Sequence, residues 1–287
     1  MEHFAIRQFK EKDINFAHEM NATEHWGDTK SDIERMFNYE PKGCFIAEAR
    51  NKPAGHIFSI SYGRVGWIGF LIVEAEYRRK GIGTLLMKKA INYLLNLGVE
   101  TIKLEAVPAI AGLYRKLGFV DEYGSLRLSG KKRKNTAESN PSATFLKKEN
   151  MKEVVRFDAE YFGADRTKVL TSLYRDNPRL CFGSHVGSKI AGYVMCRGLQ
   201  DGYRIGPWVC SPENPEAAKE LLTKCIDVFE HDARLYVGVP AVNEGAVEIL
   251  REFGFVQYSE SIRMRFGKKL ENDCVNGIFA IGGPEKG

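Results

Sequence analysis

Phe70-Leu-Ile-Val73-Glu-Ala-Glu-Tyr-Arg78-Arg-Lys-Gly81-Ile-Gly83-Thr84-Leu-Leu-Met87 reads as a strand, a basic glycine turn and a helix, and the rest of the chain is placed outward from it. Phe70 to Val73 is a short apolar run with strand character. Ile82, Leu85, Leu86, Ala90, Tyr93, Leu94 and Leu97 recur at helical spacing and stop at Gly98, a residue suited to a helix C-cap. The helix therefore begins inside the glycine turn. Gly81 and Gly83 let the backbone approach a ligand and adopt dihedrals that a Cβ forbids, so the free N–H groups of the first helical turn can point at an anion such as phosphate. Arg78, Arg79 and Lys80 add positive charge beside it. A Walker loop needs Gly-Lys followed by Ser or Thr, and a dinucleotide fingerprint needs a third glycine and a later acid; neither pattern is present.

What remains is Arg-x-x-Gly-x-Gly. It is followed in order by a strand-like Thr101-Ile-Lys-Leu-Glu105-Ala, a turn through Pro108, and Ala111-Gly-Leu-Tyr114-Arg-Lys-Leu-Gly118-Phe119. These three linked motifs, within the stretch from Phe4 to Leu128, resemble the GNAT superfamily of N-acetyltransferases, whose glycine loop grips the diphosphate of acetyl-CoA. The Glu-Ala-x-Pro-Ala spacing after Leu104, Trp26, and Trp67-Ile-Gly-Phe-Leu-Ile-Val are similar to the YitH-like branch of that superfamily. The resemblance implies an α/β (α+β) fold, a mixed and mostly antiparallel twisted sheet flanked by helices.

It also implies an acetyl-CoA-dependent N-acetyltransferase, with a cofactor site made of Leu71, Ile72, Val73, Arg78, Arg79, Lys80, Gly81, Ile82, Gly83, Thr84 and Tyr114. In relatives the tyrosine of the second motif helix is the general acid for the departing thiolate, and some use a carboxylate at the position of Glu105 as base, directly or through a water. The oxyanion would be held by a backbone N–H near Ile72 or Val73. Read from the residues alone, Tyr114 equally fits a packing aromatic and Glu105 a salt-bridged surface acid, while Glu74, one residue beyond Val73, is a second base candidate. Trp26, with His25 and Asp28, falls where relatives shape the acceptor pocket. One departure is plain: many relatives carry an Asn between the acidic strand and the tyrosine helix, and the short Val107-Pro-Ala-Ile-Ala connection has none, so the resemblance does not carry over the cofactor contact which that Asn usually supplies.

The chain also contains a repeat. Leu117-Gly-Phe119-Val recurs 136 residues later as Phe253-Gly-Phe255-Val; Val73 falls on Val209 and Leu85-Leu86 on Leu221-Leu222 under the same shift. Such ordered coincidences predict two copies of one α/β unit. The expected organisation is a catalytic domain over 1–130, a polar linker over 131–142 and a degenerate GNAT-like domain over 143–287. At the positions of Arg78 to Gly83 the second copy has Asn214-Pro-Glu-Ala-Ala-Lys219, without glycine and with Glu216 where a base stood, and Tyr114 becomes Leu250. Asp165 and Arg166 in this copy reach the acceptor if it closes over the first copy; otherwise they read as a helix-capping acid and a solvated cation.

Composition bounds the rest. The 287 residues suggest two domains, and 44% hydrophobic with 28% charged residues are enough to bury a full core. No apolar run approaches the ~20 residues of a membrane span, and Met1-Glu-His-Phe-Ala-Ile-Arg reads as a strand start rather than a signal peptide. Six scattered cysteines without Cys-x-x-Cys spacing read as reduced core residues, with neither a metal nor a disulfide framework. A net charge of +5 suits an anionic cofactor and is too diffuse for nucleic acid. The expectation is a cytoplasmic enzyme of open oligomeric state that acetylates a small-molecule amine. A protein-directed acetyltransferase or a non-catalytic CoA-binding module is the alternative.

Overall fold

The computed structural model describes residues 4–132, 143–270 and 274–287. The first copy begins with β1 (Phe4–Gln8), α1 (Ile14–Thr23), α2 (Lys30–Tyr39), β2 (Phe45–Ala49), β3 (Lys52–Tyr62), β4 (Val65–Val73), α3 (Ile82–Asn96), β5 (Thr101–Ala106), α4 (Ala111–Lys116) and β6 (Val120–Lys131). The second repeats that order of ten elements: β7 (Thr144–Phe145), α5 (Met151–Phe162), α6 (Thr167–Asp176), β8 (Cys181–Val186), β9 (Lys189–Leu199), β10 (Gly202–Cys210), α7 (Pro215–Asp227), β11 (Arg234–Pro240), α8 (Glu244–Glu252) and β12 (Val256–Gly267). A final short strand, β13 (Ile278–Ala280), has no counterpart in the first copy. The twofold repeat read from the sequence is thus the repeat of the fold. Of the expected linker, only Lys131 and Lys132 fall within the described residues.

Among the described residues two compact units emerge: 4–122 with 264–269 and 286, and 123–132 and 143–263 with 270, 274–285 and 287. In the first unit β1, β2, β3 and β4 pair antiparallel in order, and β5 joins β4 in parallel. α3 packs on β2, β3 and β4. It does so because Ile82, Leu86, Met87, Ala90, Ile91 and Leu94 share one buried stripe. Gly81 at its start and Gly98 after its end both take positive φ, +88° and +81°, so the two glycines that punctuate this helix in the sequence bound it in the fold. Thr29 opens α2 with a reciprocal capping box to Asp32. In the second unit β7, β8, β9 and β10 are antiparallel neighbours and β10 meets β11 in parallel. Its core gathers Trp208, Phe182, Val194, Leu221, Leu222 and Leu250.

The units do not follow the expected boundary at residue 130. β6 pairs antiparallel with β11 over Ser125–Lys131, so those residues belong with the second unit. The last residues of β12 instead finish the first unit. There Lys268 N–H donates to the Glu100 carbonyl at 3.0 Å, and Thr101 Oγ1 donates to the Lys268 carbonyl at 2.7 Å. Phe266 packs against Phe119 with ring centroids 5.5 Å apart and lies over Gly118, where a Cβ would sit 3.2 Å from its ring. Both copies carry the same apolar pattern on their last strand, so neither pattern says which β5-like strand it will join. Among the described residues no helix is long and apolar enough to cross a membrane.

If residues 264–269 complete the first unit, Phe266→Ala removes a packed ring and lowers the stability of that unit by about 2–3 kcal/mol, as for other large-to-small changes. Urea unfolding followed at Trp67, buried in the first unit, checks this, and a midpoint unmoved by the substitution would contradict it.

Candidate active site

The site is built where β4 and β5 part. They pair from Val65 opposite Thr101 to Trp67 opposite Lys103. Beyond this, Ile68–Val73 and Leu104–Ala106 run on without pairing to each other. Against β3, the β4 register slips between His56 and Phe58, and Phe70 takes a φ of +49°. A bulged residue drops out of the ladder and is held in this conformation only by its surroundings. Those surroundings are aromatic: the buried Phe70 ring stacks on Trp26 at 6.1 Å and meets Phe58 edge-on at 5.8 Å. Trp26, expected on the acceptor side, therefore lies directly on the bulge.

After Val73 the chain makes a short turn over Ala75–Tyr77 and enters α3 through Gly81, in the left-handed conformation with φ +88° and ψ −3°. No side chain caps this helix end. Leu85 is the first residue whose N–H bonds back, to the Gly81 carbonyl at 3.1 Å, which leaves the N–H groups of Ile82, Gly83 and Thr84 without intrahelical acceptors. A Cβ on Gly81 would meet nothing within 4 Å, and one on Gly83 nothing closer than Leu113 at 3.8 Å and Val73 at 3.9 Å. Packing within the chain therefore does not require glycine at 83, although glycine inside a helix costs about 0.5–1 kcal/mol relative to alanine. A bare backbone face at an uncapped helix start fits an anionic group such as a diphosphate, and the residues present suit CoA in that respect.

The three basic residues of the elbow are not equivalent. Arg78 Nε donates to the Val73 carbonyl at 2.9 Å, and its Nη2 donates to Glu24 just after α1, so this guanidinium ties the turn to the end of β4. Arg79 has a positive φ of +64° and is exposed. The Lys80 ammonium sits 5.3 Å from the centre of the Tyr77 ring. Glu24 was not among the sequence candidates; an exposed glutamate at a helix end carries no signal until its partner is known.

The neighbours of Gly83 show what converges here: Val73 from β4 and Leu113 from α4. Tyr114, next along α4, is 5% exposed, with its ring edge-on to Phe119 at 6.1 Å. Burial alone pushes its hydroxyl well above the usual tyrosine range, so it stays protonated at neutral pH. Glu105 is half-buried on the unpaired end of β5. Glu74, at the end of β4, donates its N–H to the Ala54 carbonyl at 2.9 Å, and its carboxyl is raised above the ordinary range by burial and by the neighbouring Glu76. Leu71 and Val73 are half-buried and Ile72 is buried.

The second unit's candidates are placed differently. Asp165 is exposed and accepts from the Thr167 N–H at 2.7 Å, the helix-capping alternative. Arg166 is neither solvated nor presented to an acceptor. It is 3% exposed, paired with Asp158 through both Nε and Nη2, and its Nη1 donates to the Gly287 carbonyl at 2.7 Å. Such a guanidinium is committed to the interior of its own unit. Where the first copy has its glycine elbow, the second has a 600 Å³ cleft whose rim includes Glu153, Glu160 and Glu213 against Arg156 and Lys189, a poor match for a diphosphate. Among the described residues no cluster of His, Cys, Asp or Glu could hold a metal ion.

Residues 12–119 match the acetyltransferase (GNAT) family profile, and residues 154–280 match a second profile described as acetyltransferase (GNAT) domain. The chain belongs to the GNAT acetyltransferases. It carries two GNAT domains in tandem, the second without the glycine elbow. This GNAT protein is 25% identical over 256 residues to holothin acyltransferase from Pseudoalteromonas sp. (strain SANK 73390), across 89% of this chain and 85% of the relative. Its structure superposes on a crystal structure of a candidate acetyltransferase from Pyrococcus horikoshii with a TM-score of 0.82 at 26% identity, covering 100% of this chain and 97% of that one. A tandem GNAT protein from the clavulanic acid biosynthesis pathway shares the fold at 12% identity, with a TM-score of 0.63 over 92% of this chain and 98% of that one.

One buried group of this region gives a pH test. His56 on β3 is fully buried between the rings of Phe16 and Phe58, with centroids 6.2 and 5.5 Å away, and burial drives its pKa down to about 3. The unfolded chain takes up this proton below about pH 6.5, and the folded chain refuses it until about pH 3. The first unit therefore loses stability as pH falls through that window. His56→Leu is expected to lose less stability than the parent between pH 7 and 5 in urea unfolding; equal losses would show that His56 is not held neutral.

Proposed function

We propose that this protein is an N-acetyltransferase whose first domain transfers an acetyl group from acetyl-CoA to the primary amine of a small-molecule acceptor by direct attack. The observation that carries the reading is the convergence, within one unit, of an uncapped glycine elbow, a parted pair of parallel strands and a buried tyrosine. When bound, acetyl-CoA supplies an activated thioester carbonyl. The N–H groups of Ile82, Gly83 and Thr84 would hold its diphosphate, with Arg79 and Lys80 adding charge and Arg78 keeping the elbow in place. The open edge of β4 at Leu71, Ile72 and Val73 offers backbone donors and acceptors to an extended arm, and a backbone N–H there would stabilise an oxyanion.

The chain's own groups then divide the proton work. Tyr114 is kept neutral by burial and holds a proton to give to a leaving sulfur. Glu105 and Glu74 are the two carboxylates placed to accept a proton from an attacking amine. The raised affinity of Glu74 for protons makes it a stronger base than an ordinary carboxylate. The aromatic floor of Trp26, Phe70 and Phe58 suits an acceptor with an apolar body. Likeness over most of the chain to an acyltransferase named for holothin supports a discrete molecule as acceptor rather than a protein tail.

A thiol-release assay with acetyl-CoA against amines and peptides tests the reading. Small amines are expected to release CoA, and Tyr114→Phe to lower kcat by about 10²-fold while leaving the Kd for CoA unchanged. Gly81→Val, forced to φ +88°, should weaken CoA binding by about tenfold or more, since a side chain costs roughly 1–2 kcal/mol there. Firm CoA binding with no release from any acceptor would move the assignment to a binding module.

A further inference from the structure

The second domain parts its strands in the same way as the first. β10 and β11 pair only from Tyr203 opposite Leu235 to Ile205 opposite Val237, three residue pairs as in β4 and β5. Beyond them the first domain leaves β4 with β3 and β5 as its only neighbours among the described residues. In the second domain a further strand enters. β13 pairs antiparallel with β10 at Trp208 opposite Ala280 and Val209 opposite Ile278. By ladder position, with Gly55 opposite Val73 and Gly192 opposite Cys210, Trp208 and Val209 are the counterparts of Leu71 and Ile72, within the edge assigned above to the arm of the cosubstrate.

The other side of the cleft is engaged as well. Ile281 N–H donates to the Gly238 carbonyl of β11 at 2.9 Å. Asn243, at the start of α8, donates its side-chain amide to the Asn276 and Ile278 carbonyls, both at 3.0 Å. This is an Asn between the β5-like strand and the following helix, the residue that relatives of the first domain carry and that the first domain lacks. Here its amide holds peptide carbonyls. The Phe279 ring lies 5.0 Å from Trp208, and Ile278, Phe279, Ala280 and Ile281 are all buried. Glycines permit the approach: a Cβ on Gly206 would sit 2.1 Å from the Ile281 carbonyl oxygen, and one on Gly238 3.1 Å from Ile281 Cγ1. Farther along, Glu285 pairs with Arg197 at 3.0 Å, each side chain 1% exposed, and Arg166 Nη1 donates to the Gly287 carbonyl at 2.7 Å.

We propose that the segment 278–287 is an internal ligand of the second domain: by strand addition it occupies the cleft between β10 and β11 that corresponds to the acyl-CoA cleft of the first, so of these two clefts the first alone is open. The proposal rests on the assignment of the β4/β5 cleft to the arm of acetyl-CoA. Strand addition of this kind satisfies the main-chain groups that parted strands leave over, and the buried ion pair behind it anchors the segment. The lost glycine elbow removes the diphosphate site, and the segment removes the room for the arm; the two losses are independent and reinforce each other.

Hydrogen exchange read by mass spectrometry on the full chain tests this. Peptides covering 278–283 are expected to exchange about 10³-fold more slowly than the same peptide free in solution. Saturating CoA should slow exchange in 78–85 and leave 278–283 as it was, with one CoA bound per chain by calorimetry. Asn243→Ser keeps a capping oxygen for α8 and removes both donors to the segment, so exchange in 278–283 should rise about tenfold while α8 is unchanged. Free exchange in 278–283 of the parent, its acceleration by CoA, two CoA per chain, or an Asn243→Ser variant with unaltered exchange there would each overturn the proposal. Failure of CoA to protect 78–85, with 278–283 still protected, would instead remove the assignment of the first cleft.

Discussion

Two parallel strands that stop pairing after three residues leave a row of N–H and C=O groups that something must satisfy, because buried backbone groups without partners each cost about 1–3 kcal/mol. That constraint organises both domains. In the first, Ile68–Val73 and Leu104–Ala106 diverge, and the bulge at Phe70 removes a further residue from the ladder. In the second, Trp208 and Val209 find partners in Ala280 and Ile278. One geometry has two outcomes: parted strands that stay apart and parted strands with an edge paired by a further strand of the chain.

Much of this was legible in the sequence, for local reasons. The glycine elbow, the start of α3 at Gly81 and its end before Gly98 follow from dihedrals that residue type alone constrains, and the repeat follows from ordered spacing. The tandem GNAT family assignment rests on such features. What was not legible depends on partners distant in sequence. The apolar alternation of β6 and β12 is the same, so the sequence could not say that Ser125–Lys131 would join β11 while residues 264–269 returned to Glu100 and Thr101. Arg166 read as a solvated cation because Asp158 and the Gly287 carbonyl, its two partners, lie 8 and 121 positions away. The edge that β13 joins is set by Trp208 and Val209, about 70 positions before it in the chain.

The site residues divide along the same line. Residue types single out the elbow and Tyr114 as candidates, since glycines at a helix start and a tyrosine in a fixed motif are local signals. The tie from Arg78 to the Val73 carbonyl and Glu24 is not local. Nor is the stacking of Trp26 on Phe70. A basic residue beside a glycine elbow is naturally read as an anion ligand, yet this guanidinium is bonded to the end of β4 and to Glu24 after α1. Rigidity of the elbow and charge at the elbow are therefore supplied by different side chains, with Arg79 and Lys80 left to provide the field.

Protonation follows from the same architecture. The core of the first domain is dry enough to hold His56 neutral and to keep the Tyr114 proton in place, because burial is the leading cause of both shifts. Where the strands part, Glu74 is only half-buried, and its shift is shared between burial and the charge of Glu76. The two groups proposed to donate and to accept a proton thus differ in solvent access, Tyr114 being buried and Glu74 half-buried. That difference exists only while the cleft is open. In the second domain the counterpart of Tyr114 is the fully buried Leu250, and a strand fills the gap, so neither the proton-holding group nor the solvent-facing edge survives. Loss of the hydroxyl, loss of the glycine elbow and filling of the cleft are three separate changes in one copy. Each removes a different feature on which the reading proposed for the first domain rests, so that reading does not extend to the second.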